Sequence, residues 1–187
     1  MLFFIYQAVN KKQEEPIMTL KQEKNRAKFL DSRLDDDTAA KVEKWNLALL
    51  GVTLLHDADH IMQAHRWNYH IPLQLWIINL AVYVMPVVSE FLIRNKRPSS
   101  FGAVTAGGLL TTLAFEKVHF WKPTTDVWGV WNNNYFKINK GVWHEGQFIQ
   151  GITWYDWVLL LDLVALCIPM TYKLLKMRKE YKEQLEK

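Results

Sequence analysis

The chain has 187 residues and a formal net charge of +4, and half of its residues are hydrophobic. A chain of this length suits one compact domain. Its basic residues concentrate near the two ends and in one short internal loop. A nucleic-acid groove needs a continuous basic face, so we expect no nucleic-acid partner. The single cysteine, Cys167, excludes an internal disulfide and a CxxC metal site.

The beginning of the chain is strongly charged. Residues 1–40 are predicted to form a charged cytoplasmic tail, and Asp35 to Thr38 are expected to lie at the N-cap of the helix that follows. The apolar stretch Met1–Tyr6 is too short for the core of a signal peptide, which needs roughly 7–15 residues. Met18 is a second plausible start, so translation from Met1 or from Met18 stays open.

Four long apolar runs follow, and each approaches the ~20 residues that cross a ~30 Å hydrocarbon core. The runs are Trp45–Trp67, Ile71–Ile93, Phe101–Trp121 and Ile152–Leu175. The sequence therefore predicts an all-α polytopic membrane protein with a four-helix transmembrane bundle at 41–176 and a charged cytoplasmic tail at 177–187. We expect the lipid bilayer as a partner, and the bundle also suits a subunit of a larger membrane complex.

The distribution of Lys and Arg predicts how the bundle is oriented. They are concentrated around both termini and the loop Arg94–Pro98, which we therefore expect on the cytoplasmic side of a cell membrane. The connection Lys122–Gln150 lies on the opposite side of the predicted bundle and is rich in aromatic residues. Long loops of this kind are commonly lids or binding loops. We expect an aromatic-rich cap over the outer end.

The first apolar run carries a dense group of ionisable residues between Leu55 and His65. At about 100° per residue, four polar residues share one helix face: His56, Asp59, His60 and Gln63. Asp57 lies at the shoulder of this face, whereas His65 points the other way. The pattern indicates a polar face that is directed into the bundle.

The other three runs also carry polar stripes, and the antiparallel arrangement places many of these residues in the outer half of the bilayer. We therefore predict one metal-binding cluster, whose candidate ligands come from three helices: His56, Asp59, His60, Glu116, His119 and Asp162. Supporting polar residues are expected beside it: Asp57, Gln63, Asn79 and Asp156.

Several chemistries are compatible with this cluster. A charge buried in hydrocarbon costs at least ~2.5–3.5 kcal/mol, so these groups need partners. Mixed nitrogen and oxygen ligands suit a divalent Zn, Cu or Fe ion, and the lack of thiolates argues against a soft-metal site. Three alternatives stay open: haem b held by His60 and His119, proton transfer, and hydrogen bonds that only fix helix packing in a non-catalytic accessory subunit. Whether the protein is an enzyme also stays open.

The first run contains the motif Leu55-His56-Asp57-Ala58-Asp59-His60, with Gln63 three residues further on. Val118-His119 and a last span that opens near Trp154 come later in the chain. With these features the sequence resembles a family of small four-span membrane proteins of uncharacterised function. The similarity extends from about Trp45 to Met170. It implies the same four-helix topology and a shared role for the polar residues of the motif: His56, Asp59, His60, Gln63 and His119. It implies no particular activity.

Overall fold

The computed structural model describes residues 20–121, 131, 142–144, 147–149 and 154–187. Helices make up almost all of this part of the chain: α1 Leu20–Asp31, α2 Asp36–Arg66, α3 Leu73–Arg94, α4 Ser100–Phe120 and α5 Trp154–Glu186. A short antiparallel hairpin pairs β1, Val142–His144, with β2, Gln147–Ile149. The predicted all-α class is confirmed, with this hairpin as a small exception. The predicted start at Met1 or Met18 and most of the Lys122–Gln150 loop lie outside the described residues.

The predicted N-cap region does begin α2. The Asp35 carboxylate accepts hydrogen bonds from the Thr38 backbone N–H at 2.8 Å and from the Thr38 hydroxyl at 2.7 Å. These bonds satisfy a backbone donor that has no partner within the helix. At the other end of α2, the Trp67 N–H donates to the Gln63 carbonyl at 2.9 Å. Asn68 then adopts a left-handed conformation with φ 49° and turns the chain toward α3.

Asp35→Ala should weaken the first turn of α2, because the loss of an Asp N-cap typically costs about 0.5–2 kcal/mol. The bonds from Thr38 also lower the pKa of Asp35 from its ordinary value of 3.8. The cap is therefore fully stabilising above that value and is lost as the pH falls through the lower folded-state pKa. Amide hydrogen exchange at Ala39 should be severalfold faster in the variant at neutral pH. Unchanged exchange, or equal acceleration in an Asp31→Ala control, would contradict this role.

Two glycines of α4 lie at the contacts with its neighbouring helices. A Cβ atom on Gly107 would make ordinary van der Waals contact with α3, 3.4 Å from Met85 Cβ and 3.6 Å from Pro86 Cδ. A Cβ atom on Gly108 would overlap the flexible end of the Met170 side chain of α5, which would have to move. The missing side chain at Gly108 thus lets α4 and α5 pack closely.

The charged segments at the two ends of the chain pack against each other in the described part of the structure. Phe29 of α1 contacts Tyr181 of α5, with ring centroids 6.0 Å apart. The Tyr181 hydroxyl donates to the Arg33 carbonyl at 2.9 Å, and the Leu34 N–H donates to the Lys96 carbonyl at 2.8 Å. Residues 20–31 and 177–186 are thus helical, and each segment buries one aromatic residue while most of its other side chains stay exposed.

Two helices are long and apolar enough to cross a membrane, namely α3 at Leu73–Arg94 and the Val158–Glu186 part of α5. Among the described helices, α2 and α4 do not meet the same standard of length and composition. Both helices contain ionisable residues, and α4 also contains several Gly and Thr residues, all of which lower the mean hydropathy. The four-span bundle predicted from the sequence is therefore not confirmed, since two of the described helices qualify as candidate spans.

Candidate metal centre

Three buried histidines from two helices converge at one point. The i, i+4 spacing of His56 and His60 places both rings on the same face of α2, and the last turn of α4 brings His119 against them. One ring nitrogen of each histidine lies within 4.8 Å of the others. The His119 Nε2 atom is 3.1 Å from His56 Nε2 and 3.5 Å from His60 Nε2.

The two separations from His119 are close to those around a metal ion, and all three nitrogens lie within 4.8 Å of one another. Imidazole nitrogens bind zinc at about 2.0–2.1 Å, so two of them at the tetrahedral angle lie about 3.3–3.4 Å apart. The observed separations of 3.1 and 3.5 Å bracket this value. The rings lie in edge-on arrangements, with interplanar angles of 62–68° among the three histidines. The three side chains can therefore hold one metal ion.

A hydrogen bond fixes the protonation of His119. Its Nδ1 atom lies 2.8 Å from the backbone carbonyl oxygen of Trp131. A carbonyl oxygen can only accept, so Nδ1 must carry the proton and Nε2 must present its lone pair to the other histidines. Metal-binding histidines usually donate their second ring N–H to a carbonyl or carboxylate in this manner.

The three ring nitrogens are close enough to share one cation. The His119 Nε2 atom lies near a ring nitrogen of His56 and one of His60, and one nitrogen of each ring lies within 4.8 Å of the others. A neutral imidazole nitrogen that carries no proton can donate its lone pair to a metal ion. A cation at the common point could therefore be bound by all three rings.

Trp131 closes the site. Its ring stacks on the His60 ring, with centroids 4.7 Å apart and an interplanar angle of 19°. Its indole Nε1–H donates to Gln63 Oε1 at 2.8 Å, and Gln63 Nε2 donates to Asp59 Oδ2 at 2.7 Å. Trp131 is 1% exposed. Trp131, from the segment between α4 and α5, thus stacks on His60, accepts a hydrogen bond from His119 through its backbone carbonyl, and donates one to Gln63.

A second polar group lies on the α3 side of α2. The Tyr83 hydroxyl donates to Asp57 Oδ2 at 2.6 Å, and Asn79 Nδ2 lies 3.4 Å from Asp57 Oδ1. Asp57 is buried, so these donors offset the cost of removing its carboxylate from water. The position of Asp57 at the shoulder of the histidine face explains why it faces α3 and not the three rings.

The carboxylates predicted as ligands do not join the histidines. Among the described His, Cys, Asp and Glu side chains, the group that can hold a metal consists of the three histidines. Asp59 is buried beside them but accepts from Gln63. Glu116 is half-buried, one turn before His119, and lies outside the group.

Asp162 requires a clear correction. It lies on the exposed side of α5, next to the exposed Leu161. The helix packs through a different face: Leu159, Leu160, Leu163, Cys167, Met170 and Leu174. Asp162 therefore does not mark the inward face of this helix. Asp156 lies in α5, and its side chain is outside the described part of the structure.

Two residues at the site were not among the candidates. Tyr83 follows Asn79 by four residues in the second run, so both lie on one helix face, and this spacing was the available signal. Trp131 had no such signal, because a tryptophan in an aromatic-rich loop shows no periodicity. Its role depends on contacts distant in sequence, such as the one with Gln63.

No family model matches the chain, and no curated protein or solved structure matches it either. The similarity to the four-span family noted above therefore stays a prediction. The case for a metal centre rests on the positions of three imidazole rings and on the hydrogen bond that fixes one of them.

Proposed function

We propose that the protein is an integral membrane metalloprotein that binds one divalent transition-metal ion through His56, His60 and His119. The observation that carries this proposal is the spacing of their Nε2 atoms, 3.1 and 3.5 Å around His119. Neutral imidazoles suit Zn, Cu and Fe, and the two separations around His119 are compatible with tetrahedral Zn²⁺. Elemental analysis of the chain purified in mild detergent should find about one ion per chain.

The number of ligands bears on what the metal does. Structural zinc sites usually have four protein ligands, whereas catalytic zinc sites have three and keep a fourth position for water or substrate. Three histidines in the described group therefore favour a metalloenzyme, or a subunit of one, over a purely structural zinc site. A metal in such a site acts as a Lewis acid or activates water.

The geometry favours a single ion over haem b. A haem held by His60 and His119 would place its flat macrocycle between the two rings. Their Nε2 atoms are 3.5 Å apart, His56 Nε2 lies 3.1 Å from that of His119, and Trp131 stacks on His60. These contacts occupy the space that the macrocycle would need.

The second candidate function is a non-catalytic membrane subunit whose histidines only join α2 to α4. The 3.1 Å contact between His56 and His119 favours it, because this distance suits a direct hydrogen bond. The two candidates differ in metal content. A hydrogen-bonded cluster would purify without a stoichiometric metal and would not take one up.

The outer surface of the helices supports insertion in a bilayer. Large apolar side chains are exposed on every long helix, among them Leu54 and Leu55 of α2, Leu80 and Phe91 of α3, Leu110 and Leu113 of α4, and Leu161 and Ile168 of α5. Only 17% of the most apolar 18-residue stretch of α3 is buried. Soluble monomers rarely expose apolar patches above a few hundred Å². Polar residues inside and apolar residues outside are the pattern expected in lipid.

The ends of the bundle support the predicted orientation. The Leu34 and Lys96 backbones are hydrogen-bonded, and the Lys96 ammonium lies 2.7 Å from Asp36 Oδ1. The α3–α4 connection, the start of α2 and the end of α5 therefore share one basic end, which we place in the cytoplasm. The histidines and Trp131 lie toward the other end.

Cysteine accessibility labelling tests this topology. In a Cys167→Ser background, Ser99→Cys should be labelled only from the cytoplasmic side and Asn133→Cys only from the outside, because the two positions lie at opposite ends of the proposed spans. A membrane-impermeant maleimide applied to intact cells and to inverted vesicles distinguishes the sides. Labelling of both positions from the same side would reject the four-span topology.

A further inference from the structure

The packing of α1 against the end of α5 forms an open groove of about 750 Å³. Four cationic side chains line it: Arg26, Lys28, Arg178 and Lys182. Glu186 is the carboxylate among its described lining residues, and it already accepts a hydrogen bond from Asn25 Nδ2 at 3.1 Å. The groove therefore carries a net positive charge.

The cations of the groove are not neutralised within the described part of the chain. Other lysines of α5 pair along the helix: Lys176 lies 3.7 Å from Glu180, and Lys179 lies 3.8 Å from Glu183. No such ion pair forms between the four lining cations and a described carboxylate. The Arg178 Nε atom is buried and has no described hydrogen-bond partner. A buried donor without an acceptor is costly, which points to an anionic ligand.

Phe29 holds two of these cations on the same side of the groove. Its ring lies 5.2 Å from Lys182 Nζ and 5.7 Å from Arg178 Cζ. Cation–π contacts at such distances stabilise the orientation of the charged groups. Arg178 and Lys182 are also one helical turn apart, so both can contact a single phosphate group.

We propose that this groove binds the phosphate of an anionic phospholipid headgroup. The inference depends on the membrane insertion proposed above. Arg178 follows the last apolar run by three residues, which places it ~4.5 Å beyond Leu175 along the helix axis, and Lys182 lies ~6 Å further. The two cations thus lie at the depth of the lipid headgroups. Guanidinium and ammonium groups recognise phosphate there, and the cytoplasmic leaflet is rich in anionic lipid.

The helix face below the groove favours a lipid over a soluble phosphate. Ile168 and Leu175 precede Lys182 by fourteen and seven residues, so the three side chains share one face of α5. Ile168 and Leu175 are exposed, at 67% and 49%. A lipid can place its acyl chain along these apolar residues while its phosphate contacts Lys182 and Arg178. A free phosphate would gain nothing from them.

Native mass spectrometry of the full chain in mild detergent tests the proposal with phosphatidylglycerol and phosphatidylcholine as probes. The wild type should retain phosphatidylglycerol in preference to phosphatidylcholine. Arg178→Gln and Lys182→Gln should each lower phosphatidylglycerol retention about fivefold, as expected for the loss of one basic charge near a membrane surface. Lys182 is exposed, so its replacement leaves packing intact. Lys179→Gln is the matched control, because Lys179 pairs with Glu183 outside the groove, and it should change retention less than twofold.

Five outcomes would overturn the proposal. Equal loss in the Lys179 control, or no loss in the Arg178 and Lys182 variants, would mean that the groove is not the binding site. Displacement of the lipid by millimolar inorganic phosphate at constant ionic strength would identify a soluble anion as the ligand. Carbonate extraction separates this inference from the proposed function: release of the protein from membranes would reject both. A protein that stays in the membrane without preferring phosphatidylglycerol would reject this inference alone.

Discussion

His60→Ala is expected to reduce the metal content of the purified protein from about one ion per chain to background. His60 supplies one of three imidazole nitrogens, and two remaining histidines leave half of a four-coordinate sphere without protein ligands. The loss of one ligand from such a site should weaken affinity by orders of magnitude. Elemental analysis of wild type and variant, purified in parallel with the same added Zn²⁺, measures the effect.

His65→Ala is the matched control for this substitution. His65 lies on the same helix only five residues away, but it is exposed and outside the histidine group. General destabilisation of α2 by loss of an imidazole would affect both variants, whereas loss of a ligand affects only His60→Ala. Equal metal content in wild type and His60→Ala would contradict the metal centre and favour hydrogen-bonded helix packing.

Trp131→Phe should weaken metal binding about 10–100-fold, the range typical for loss of a group that orients a metal ligand. The phenyl ring preserves stacking on His60, and the backbone carbonyl that accepts from His119 is retained. The indole N–H is lost, so Gln63 Oε1 loses the donor observed at 2.8 Å. Competition with a metal chelator of known affinity measures the change.

Trp131→Ala should have the larger effect on stability, because truncation of a buried Trp or Phe typically costs about 3–5 kcal/mol. Comparison of the two variants therefore separates packing from hydrogen bonding. Trp121→Phe serves as the control, since Trp121 is 53% exposed. If Trp131→Phe binds metal as tightly as wild type, the link from Trp131 through Gln63 does not support the site.

Helical periodicity was sufficient to predict the inward face of α2. The four residues assigned to it are all buried, and His65, assigned to the opposite side, is exposed. The polar stripe of the second run also faces α2, where Asn79 and Tyr83 contact Asp57. A repeat near 3.6 residues fixes which side chains share a face, so these predictions needed no knowledge of distant contacts.

Periodicity cannot show which face of a helix packs against its neighbours. In α5 the polar residue Asp162 was taken to mark the inner face, whereas the helix packs through an apolar face that includes Leu163 and Met170. The face of α5 toward α4 is selected by close packing at Gly108, where the Met170 and Cys167 side chains fill the space beside the glycine. This fit depends on residues of both helices, so the residue pattern of α5 alone does not show it.

Estimates of how deep each residue lies in the bilayer also predicted too many metal ligands. Depth placed His119 nearer the outer end than His56 and His60, yet its Nε2 atom lies 3.1 and 3.5 Å from theirs. Glu116, at a similar level, is rotated about 60° from His119 on α4 and stays half-buried outside the group. Asp59 is at the correct level and face, but Gln63 is a nearer partner one turn along the same helix. Depth alone could not distinguish a ligand from a hydrogen-bonded neighbour.

X-ray absorption spectroscopy at the zinc edge, on the full chain loaded with Zn²⁺ in mild detergent, tests the metal centre most directly. The three-histidine site predicts about three nitrogen neighbours at about 2.0–2.1 Å, with the outer-shell scattering of imidazole rings. This signature should vanish in His60→Ala and persist in His65→Ala. A first shell of oxygen atoms without imidazole scattering, or a chain that retains no zinc, would contradict the proposed metal centre.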